Sequence, residues 1–283
     1  MEPAPSGANQ GGSRFADLRA RIATGCAAAL IAFVFLYMGG LWAAVLIAAI
    51  AAVLLWEWRS ITLHRGGPCG MESALLVAAG SGAVLVAYMA GPVAAFLFLF
   101  ALIAAGSLAD YRSGRQTALW WGVLGGLYLG TASIAFFWLR DTDPFGFLAT
   151  VWIVIVVAAS DIGGYFAGRV IGGPKLWPKV SPKKTWAGLA GAVVLAFVVG
   201  GIFSWATVGT YFKQVCTVSA AASLLAQAGD LAESAVKRHF GVKDSGRILP
   251  GHGGVLDRLD GLTAAILVAA IVTLWRGETI FVW

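Results

Sequence analysis

Acidic side chains that could bind a metal ion lie inside apolar segments of the C-terminal half of the chain. Asp161 follows a run of valine and isoleucine, and Asp230 and Glu233 lie within a later apolar segment. An ionisable group within a membrane segment is costly and usually marks a functional site. Asp230, Glu233 and Lys237 are spaced i, i+3 and i+7, so they share one face of a helix, with Ser234 beside them. An interhelical salt bridge is the alternative interpretation, since Lys237 could pair with Glu233.

The stretch from residue 237 to residue 260 is dense in cations, glycines and acids. Glycine lets backbone N–H groups approach an anion closely, and basic side chains neutralise phosphate oxygens. The glycines are Gly251, Gly253 and Gly254, and the basic residues are Lys243, Arg247 and Arg258. This composition predicts a cradle for a polyphosphate. His252 within it is either a base or a turn histidine that donates a hydrogen bond.

Two further carboxylates, Asp257 and Asp260, would lie on one face of a helix that begins near them. Mg²⁺ is usually bound by a few carboxylates together with substrate phosphates. Asp230 and Asp257 could therefore hold one or two metal ions against a triphosphate.

A second polar segment, residues 160–185, is also unusual for a linker between membrane spans. We interpret Lys183, Lys184 and Thr185 as an anion-binding arm, which would complement the first segment. Lys175 and Lys179 are more typical of a positively charged loop that contacts lipid headgroups.

The elements that must position these residues are membrane helices. The 283 residues are 59% hydrophobic and 12% charged, with a mean hydropathy of +0.81, whereas soluble domains are roughly 45–50% apolar. We predict an all-α polytopic membrane protein with about nine transmembrane helices of roughly 20 residues each. The predicted spans are residues 22–38, 41–56, 73–90, 93–109, 118–139, 147–167, 188–205, 215–236 and 262–275.

The basic residues predict the orientation of these spans, because short loops that carry Lys and Arg stay on the cytoplasmic side. With a cytoplasmic N-terminus, 17 of the 20 basic residues lie inside, and only Arg140, Lys213 and Arg276 lie outside. The C-terminus should then face the periplasm or exterior. We expect a multi-pass protein of the inner (cell) membrane whose active-site loops are cytoplasmic.

Acidic residues in the N-terminal half receive a simpler interpretation. Glu57, Glu72 and Asp110 lie near span ends, beside basic neighbours such as Arg59 or Arg112. We interpret them as interface anchors.

Charge and cysteine content exclude several other classes of protein. The net charge of +6 resides in short loops beside spans, which favours membrane lipids or phosphates over nucleic acid as partners. Cys26, Cys69 and Cys216 are scattered and form no C-x-x-C pair. Neither a disulfide framework nor a zinc site is indicated.

The motifs together resemble the phosphatidate cytidylyltransferases (CDP-diacylglycerol synthases). Residues 234–260 match every fixed position of the family signature S-x-x-K-R-x4-K-D-x5-P-x-H-G-G-x-x-D-R-x-D. Residues 227–234 resemble the family's Q-x-G-D-L-x-E-S segment, and residues 160–185 its S-D-x-G-x-Y-x-x-G-R … S-P-K-K-T segment. The resemblance covers the last 125 residues or so, counted roughly from these motifs. One departure is Ala187, where the family usually carries glutamate.

The resemblance implies transfer of the cytidylyl group from CTP to phosphatidic acid, which yields CDP-diacylglycerol and pyrophosphate. It also implies Mg²⁺, with room for a second, monovalent cation such as K⁺. The implied catalytic residues are Asp230, Asp257, Lys237, Arg258 and Asp260. The substrate-binding residues are Lys183, Lys184, Thr185, Ser234, Arg238, Lys243, His252, Gly253 and Gly254. The metal ligands are Asp230, Asp257, Asp161 and Glu233.

We divide the chain into a disordered cytoplasmic tail (residues 1–21), N-terminal transmembrane helices (residues 22–146) and a C-terminal transmembrane catalytic region (residues 147–283). Families of this kind often form homodimers, which the sequence leaves open.

Three other functions are alternatives to this one. A CTP-dependent membrane lipid kinase would also present carboxylates to a nucleotide. An ion transporter would explain the buried acids, but not the loops rich in lysine and glycine. A CDP-alcohol phosphotransferase would require arginine where this chain has Ala265.

Overall fold

The computed structural model describes residues 10–63, with side chains from residue 24 onward, and residues 70–246, 248 and 253–282. Over these residues the chain forms eight α-helices and one two-stranded hairpin. The helices are α1 (Gln10–Met38), α2 (Gly40–Thr62), α3 (Met71–Arg112), α4 (Gln116–Asp141), α5 (Gly146–Val170), α6 (Trp186–Thr207), α7 (Phe212–His239) and α8 (Leu256–Arg276). The strands are β1 (Lys175–Trp177) and β2 (Ser181–Thr185), which pair antiparallel.

The helices are those of a membrane protein. Among the described residues, seven helices, α2 to α8, are long and apolar enough to cross a bilayer, and the apolar part of α1, Thr24–Met38, is shorter. Helices satisfy their own backbone hydrogen bonds, which lipid cannot do. The predicted all-α polytopic membrane fold is therefore confirmed.

Helix α3 contains two of the predicted spans, residues 73–90 and 93–109. Its 42 residues bend at Gly91, whose φ of +83° a helix does not allow, and Pro92 follows. The two arms lie side by side. A methyl group built on Gly106 would lie 3.4 Å from the carbonyl oxygen of Glu72, and one on Gly82 would lie 2.6 Å from the ring of Phe98. Helix α3 is thus an antiparallel helical hairpin.

The start of the chain differs from the prediction. A disordered tail is predicted for residues 1–21, but α1 begins at Gln10. After Gly11 and Gly12, residues 13–23 contain three alanines and three arginines, which favour helix, and no proline. Helix α1 therefore extends through residues 10–21 into the apolar segment. Residues 1–9 lie outside the described residues.

Polar side-chain contacts connect neighbouring helix ends in two groups, one at each end of the helix bundle. In one group, Arg59 near the end of α2 donates to the carbonyl of Ala118 at the start of α4, with an N···O distance of 2.9 Å. Arg115 pairs with Glu72 at the start of α3, at 2.7 Å. In the opposite group, Arg140 at the end of α4 donates to the carbonyl of Tyr37 at the end of α1, at 3.1 Å.

The β1–β2 hairpin joins α5 to α6. Thr185 ends β2 and caps α6, because its hydroxyl accepts a hydrogen bond from the backbone N–H of Gly188 at 3.0 Å. The hairpin carries Lys183 and Lys184 directly before this cap. The folded position of both lysines is therefore tied to the start of α6.

Candidate active site

A polar cavity of about 690 Å³ lies between α5, the β1–β2 hairpin, α6 and α7. Asp161 of α5 and Asp230 of α7 line it from two helices, and Lys183, Lys184 and Thr185 line it from the hairpin. Of the described part of the chain, no residue between 237 and 260 lines this cavity. Instead, the predicted anion-binding arm, residues 160–185, meets the segment around Asp230 there. They are 43 positions apart at the contact between Lys184 and Gln227.

Asp230 has two partners in this cavity. Its Oδ2 atom lies 2.7 Å from the Nζ atom of Lys184, and its Oδ1 atom accepts a hydrogen bond from the hydroxyl of Ser234 at 3.3 Å. Ser234 lies one turn later on α7, which is why its hydroxyl reaches back to the carboxylate. Asp230 and Lys184 are both partly exposed, so substrate can reach them.

Asp161 is held by side chains of α7. Gln227 donates from Nε2 to Oδ1 of Asp161 at 3.2 Å and to the hydroxyl of Ser160, also at 3.2 Å. The hydroxyl of Ser160 in turn lies 2.8 Å from that of Ser223. This chain of hydrogen bonds fixes the lateral position of α5 against α7 at the level of the cavity.

Glycines bring α5 and α6 close together beneath the hairpin. A methyl group built on Gly188 would lie 2.9 Å from the carbonyl oxygen of Gly164, and one on Gly191 would lie 2.9 Å from that of Gly163. Larger residues would separate the helices. These glycines therefore determine the distance between α5 and α6 where the two helices line the cavity.

A second polar cluster surrounds Asp257 in the first turn of α8. Its Oδ1 atom lies 2.7 Å from the Nζ atom of Lys237, and Ser245 and Gly254 donate to the carboxylate from their backbone N–H groups at 3.0 Å. Lys237 also lies 3.2 Å from Oε1 of Glu233. The pair of Lys237 with Glu233 considered from the sequence thus exists, but it lies within α7. The interhelical salt bridge is the one from Lys237 to Asp257 of α8, and Lys237 is buried.

Glu57 of α2 completes the second cluster, and the sequence interpretation missed it. Its carboxylate is fully buried, with 0% exposure. It accepts hydrogen bonds from the backbone N–H groups of Val255 and Leu256, at 3.1 and 2.7 Å, and from the hydroxyl of Ser245, at 3.2 Å. A buried carboxylate is favourable here because it faces the positive end of α8. Glu57 is not the interface anchor predicted.

Glu72 and Asp110 are likewise buried and are not interface anchors. Both oxygens of Asp110 accept hydrogen bonds from Nη2 of Arg59, at 2.7 and 2.6 Å. Arg115 contacts Asp110 at 3.4 Å and Glu72 at 2.7 Å. The predictions placed these acids near span ends but did not foresee that the helices would enclose them.

The remaining predicted residues divide by position. Asp260 lies on α8, half-buried, and its Oδ1 atom accepts from the backbone N–H of Gly261 at 2.7 Å. Arg238, Lys243 and Arg258 are exposed around the second cluster, and Gly253 has a positive φ of 86°. Gly251, His252 and Arg247 lie outside the described residues. The backbone N–H of Gly254 binds Asp257, so the anion it approaches belongs to the protein itself.

The carboxylates suit a Mg²⁺ ion that shares its ligands with a phosphate. Asp161 and Asp230 line one cavity, and Mg²⁺ typically takes one or two carboxylates plus substrate oxygens. In the described part of the chain, Glu233 is not among the residues that line this cavity, and its carboxylate contacts Lys237 and Asp260 instead. Within that same part, no three His, Cys, Asp or Glu side chains are grouped to hold a metal alone. The donors thus fit a shared site, not a closed one.

Comparisons with known proteins show the family to which this chain belongs. A family model described as the cytidylyltransferase family matches residues 19–275. A phosphatidate cytidylyltransferase of Brucella suis biovar 1 is 37% identical over 251 residues, which cover 88% of this chain and 90% of the relative. The protein of that name from Bacillus subtilis is 42% identical over 138 residues, 48% of this chain and 51% of the relative.

A third relative with this name, from Haemophilus influenzae, is 44% identical over 130 residues, 44% of this chain and 45% of the relative. The family model also extends over the N-terminal helices, which contain none of the motifs described above. The resemblance predicted from the motifs is therefore confirmed. The chain belongs to the cytidylyltransferase family.

Proposed function

We propose that this membrane protein transfers the cytidylyl group of CTP to phosphatidic acid, forming CDP-diacylglycerol and releasing pyrophosphate. The observation that carries the proposal is the 37% identity to a phosphatidate cytidylyltransferase over 88% of the chain. The polar cavity supplies the chemistry, because cations and carboxylates from two distant segments face each other there.

The reaction joins two anions. A phosphate oxygen of phosphatidic acid attacks the α-phosphorus of CTP, and the bond from that phosphorus to the bridging oxygen breaks, so pyrophosphate leaves with the electron pair. The attacking oxygen is already anionic, so no serine, cysteine or histidine nucleophile is needed. The protein has to position both substrates and neutralise their charge.

Cations of the polar cavity serve this purpose in our proposal. Lys183, Lys184 and Arg169 line the cavity, and they would bind phosphate oxygens. Lys184 pairs with Asp230 at 2.7 Å, and it can turn from this carboxylate to the triphosphate when CTP binds. Arg238, Lys243 and Arg258 are exposed and would bind the leaving pyrophosphate.

We propose Asp161 and Asp230 as the carboxylates that hold Mg²⁺, since both line the cavity. Bound there, the ion would neutralise charge on the phosphate oxygens. Asp257 and Glu233, also predicted as ligands, contact Lys237. We infer that Lys237 positions Asp257 and does not itself contact pyrophosphate, because its ammonium group is buried between two carboxylates. The binding of a monovalent ion such as K⁺ and the formation of a homodimer remain predictions.

The orientation we propose places the helix ends that carry the two clusters in the cytoplasm, where CTP is available, and the end of α4 outside. The spans then number about nine if both arms of α3 and the apolar part of α1 cross the inner membrane. An impermeant thiol reagent tests this orientation. It should label a Lys213→Cys variant in intact cells and a Lys179→Cys variant only after permeabilisation.

Labelled CTP tests the reaction itself. With purified protein, phosphatidic acid and Mg²⁺, a label on the α-phosphorus should enter the lipid, and a label on the γ-phosphorus should leave as pyrophosphate. Transfer of the γ-label to lipid with release of CDP would instead indicate a lipid kinase. Ion flux into sealed vesicles without CTP would indicate a transporter.

A further inference from the structure

A second cavity, of about 470 Å³, lies among α1, α2, α4, α5 and α8. Leu54 of α2, Ala132 of α4, Ile155 of α5 and Leu259 of α8 are among the residues that line it. Nearly all of its lining is apolar, unlike that of the polar cavity. The two cavities share no lining residue.

The apolar cavity begins directly below the polar residues of the candidate site. On α2, Leu54 precedes the buried carboxylate Glu57 by three residues, and on α8, Leu259 follows Asp257 by two. At 1.5 Å per residue, these offsets are about 3 to 5 Å along the helix axes. On α5, the corresponding step from Ile155 to Asp161 is about 9 Å. On all three helices, the polar residue therefore lies at the same end of the apolar cavity. We call Glu57, Asp161 and Asp257 the polar layer.

The few polar side chains in the lining are already satisfied by their own helices. The hydroxyl of Ser133 donates to the carbonyl of Leu129 at 2.8 Å, and that of Thr150 to the carbonyl of Gly146 at 2.9 Å. Thr263 donates to the carbonyl of Asp260 at 2.7 Å. None of these three hydroxyl protons is left for a ligand. The cavity therefore suits a hydrocarbon.

We propose that this cavity binds one acyl chain of the lipid substrate, an inference that rests on the proposed function. A phosphatidic acid molecule has an anionic head, which cations beside the polar layer such as the exposed Arg258 of α8 would bind, and a hydrocarbon tail, which would lie in the cavity below that layer. The lining of α2 runs from Leu46 to Leu54, about 12 Å along the helix, so an extended chain has room to lie along it. Each buried methylene adds to substrate affinity.

Filling the cavity should shorten the acyl chain that the enzyme accepts. An Ala132→Leu variant should lower kcat/KM for dioleoyl phosphatidate about tenfold, which corresponds to the loss of about two methylene contacts. For dihexanoyl phosphatidate, whose chains are too short to fill the cavity, kcat/KM should stay within about twofold. Ser133→Leu serves as a second variant, and Ala104→Leu on the exposed face of α3 is the matched control.

Equal losses for both substrates, or no loss for either, would overturn the proposal. A phosphatidic acid with a photoreactive group at the end of one chain gives a second readout that does not depend on turnover. In the wild-type protein it should label residues of this cavity, and unlabelled phosphatidic acid should prevent labelling, whereas phosphatidylethanolamine should not. Competition by both lipids would identify a site for bulk membrane lipid and contradict the proposal. Failure of the proposed function would appear separately, as absence of CDP-diacylglycerol with either chain length.

Discussion

Glu57 accepts a hydrogen bond from the hydroxyl of Ser245, which follows it by 188 positions, at 3.2 Å. The same hydroxyl accepts from the backbone N–H of Asp257 at 3.3 Å. Ser245 thus links a carboxylate of α2 to the first turn of α8. The N-terminal helices are therefore part of the candidate site, because they hold the segment that carries Asp257.

Replacing Glu57 should loosen that segment. In a Glu57→Gln variant, one accepting oxygen is lost, so the backbone N–H groups of Val255 and Leu256 should exchange with deuterium faster. Because a shift of about 1 Å can cost 10²-fold in rate, kcat should fall about 10- to 100-fold with less effect on KM for CTP. Glu72→Gln, another buried carboxylate outside this segment, should lower thermal stability and leave kcat and that exchange unchanged. Wild-type exchange and kcat in Glu57→Gln would show that Glu57 does not position α8.

Lys184 should matter for CTP binding more than other lysines of the hairpin. A Lys184→Gln variant loses a cation that contacts Asp230 and can reach a triphosphate, and hydrogen bonds to charged groups contribute about 1.5–3 kcal/mol. We expect KM for CTP to rise about 10- to 100-fold, and equilibrium dialysis of CTP should show the same loss. Lys175→Gln on the exposed strand β1 should behave as wild type. Equal effects in both variants would mean that the lysines act only as general surface charge.

Asp257 and Lys237 should act as a pair. Asp257→Asn removes the ion pair at 2.7 Å and weakens two hydrogen bonds from backbone N–H groups, so turnover should fall at least about 100-fold. Lys237→Gln should cause a similar loss. Because both changes break one interaction, the double variant should be little worse than either single variant. Strictly additive losses in this double-mutant cycle would contradict the pairing.

The buried ion pair between Arg59 and Asp110 should contribute to stability and not to catalysis. Removal of Arg59 leaves the buried carboxylate of Asp110 with only the longer contact to Arg115, at 3.4 Å, and breaking a buried ion pair typically costs about 3–5 kcal/mol. Arg59→Met should therefore lower the midpoint of thermal unfolding in detergent, while kcat of the protein that remains folded is unchanged. The control is Arg112→Met, which changes an exposed arginine at the end of α3, two residues after Asp110. It should have little effect on either quantity. A normal unfolding midpoint for Arg59→Met would contradict this assignment.

Much of the site could be predicted because its chemistry lies in dense local motifs. The segments around Asp161 and Asp230 each contain carboxylates within apolar surroundings, and the structure brings both to one cavity. The break between the third and fourth predicted spans could also be predicted from the sequence, since Gly91 and Pro92 disfavour a continuous helix.

The contribution of Glu57 could not be predicted from spacing. A single glutamate between Trp56 and Trp58, with Arg59 close by, has the composition of an interfacial anchor. Its partner Leu256 lies 199 positions later, and no periodic pattern connects residues so far apart. The available signal was that Glu57 ended an apolar run, where an ionisable group suggests function.

The β1–β2 hairpin was missed for a different reason. Its strands have three and five residues, and β2 reads Ser-Pro-Lys-Lys-Thr. Such a sequence has no alternation of apolar and polar residues, it contains proline, and Thr185 is its only β-branched residue, so it does not predict a strand. The pairing depends on the positions of α5 and α6, which the glycines between them determine.

Transfer of label from the α-phosphorus of CTP to lipid by an Asp230→Asn variant tests the central claim most directly. The measurement compares this variant with the wild-type protein and with Asp141→Asn, an exposed aspartate at the opposite end of the bundle. The wild type and Asp141→Asn should form labelled CDP-diacylglycerol with one pyrophosphate per lipid, and Asp230→Asn should lose at least about 100-fold in rate while remaining folded. Near-normal transfer by Asp230→Asn would contradict catalysis in the cavity that Asp230 lines.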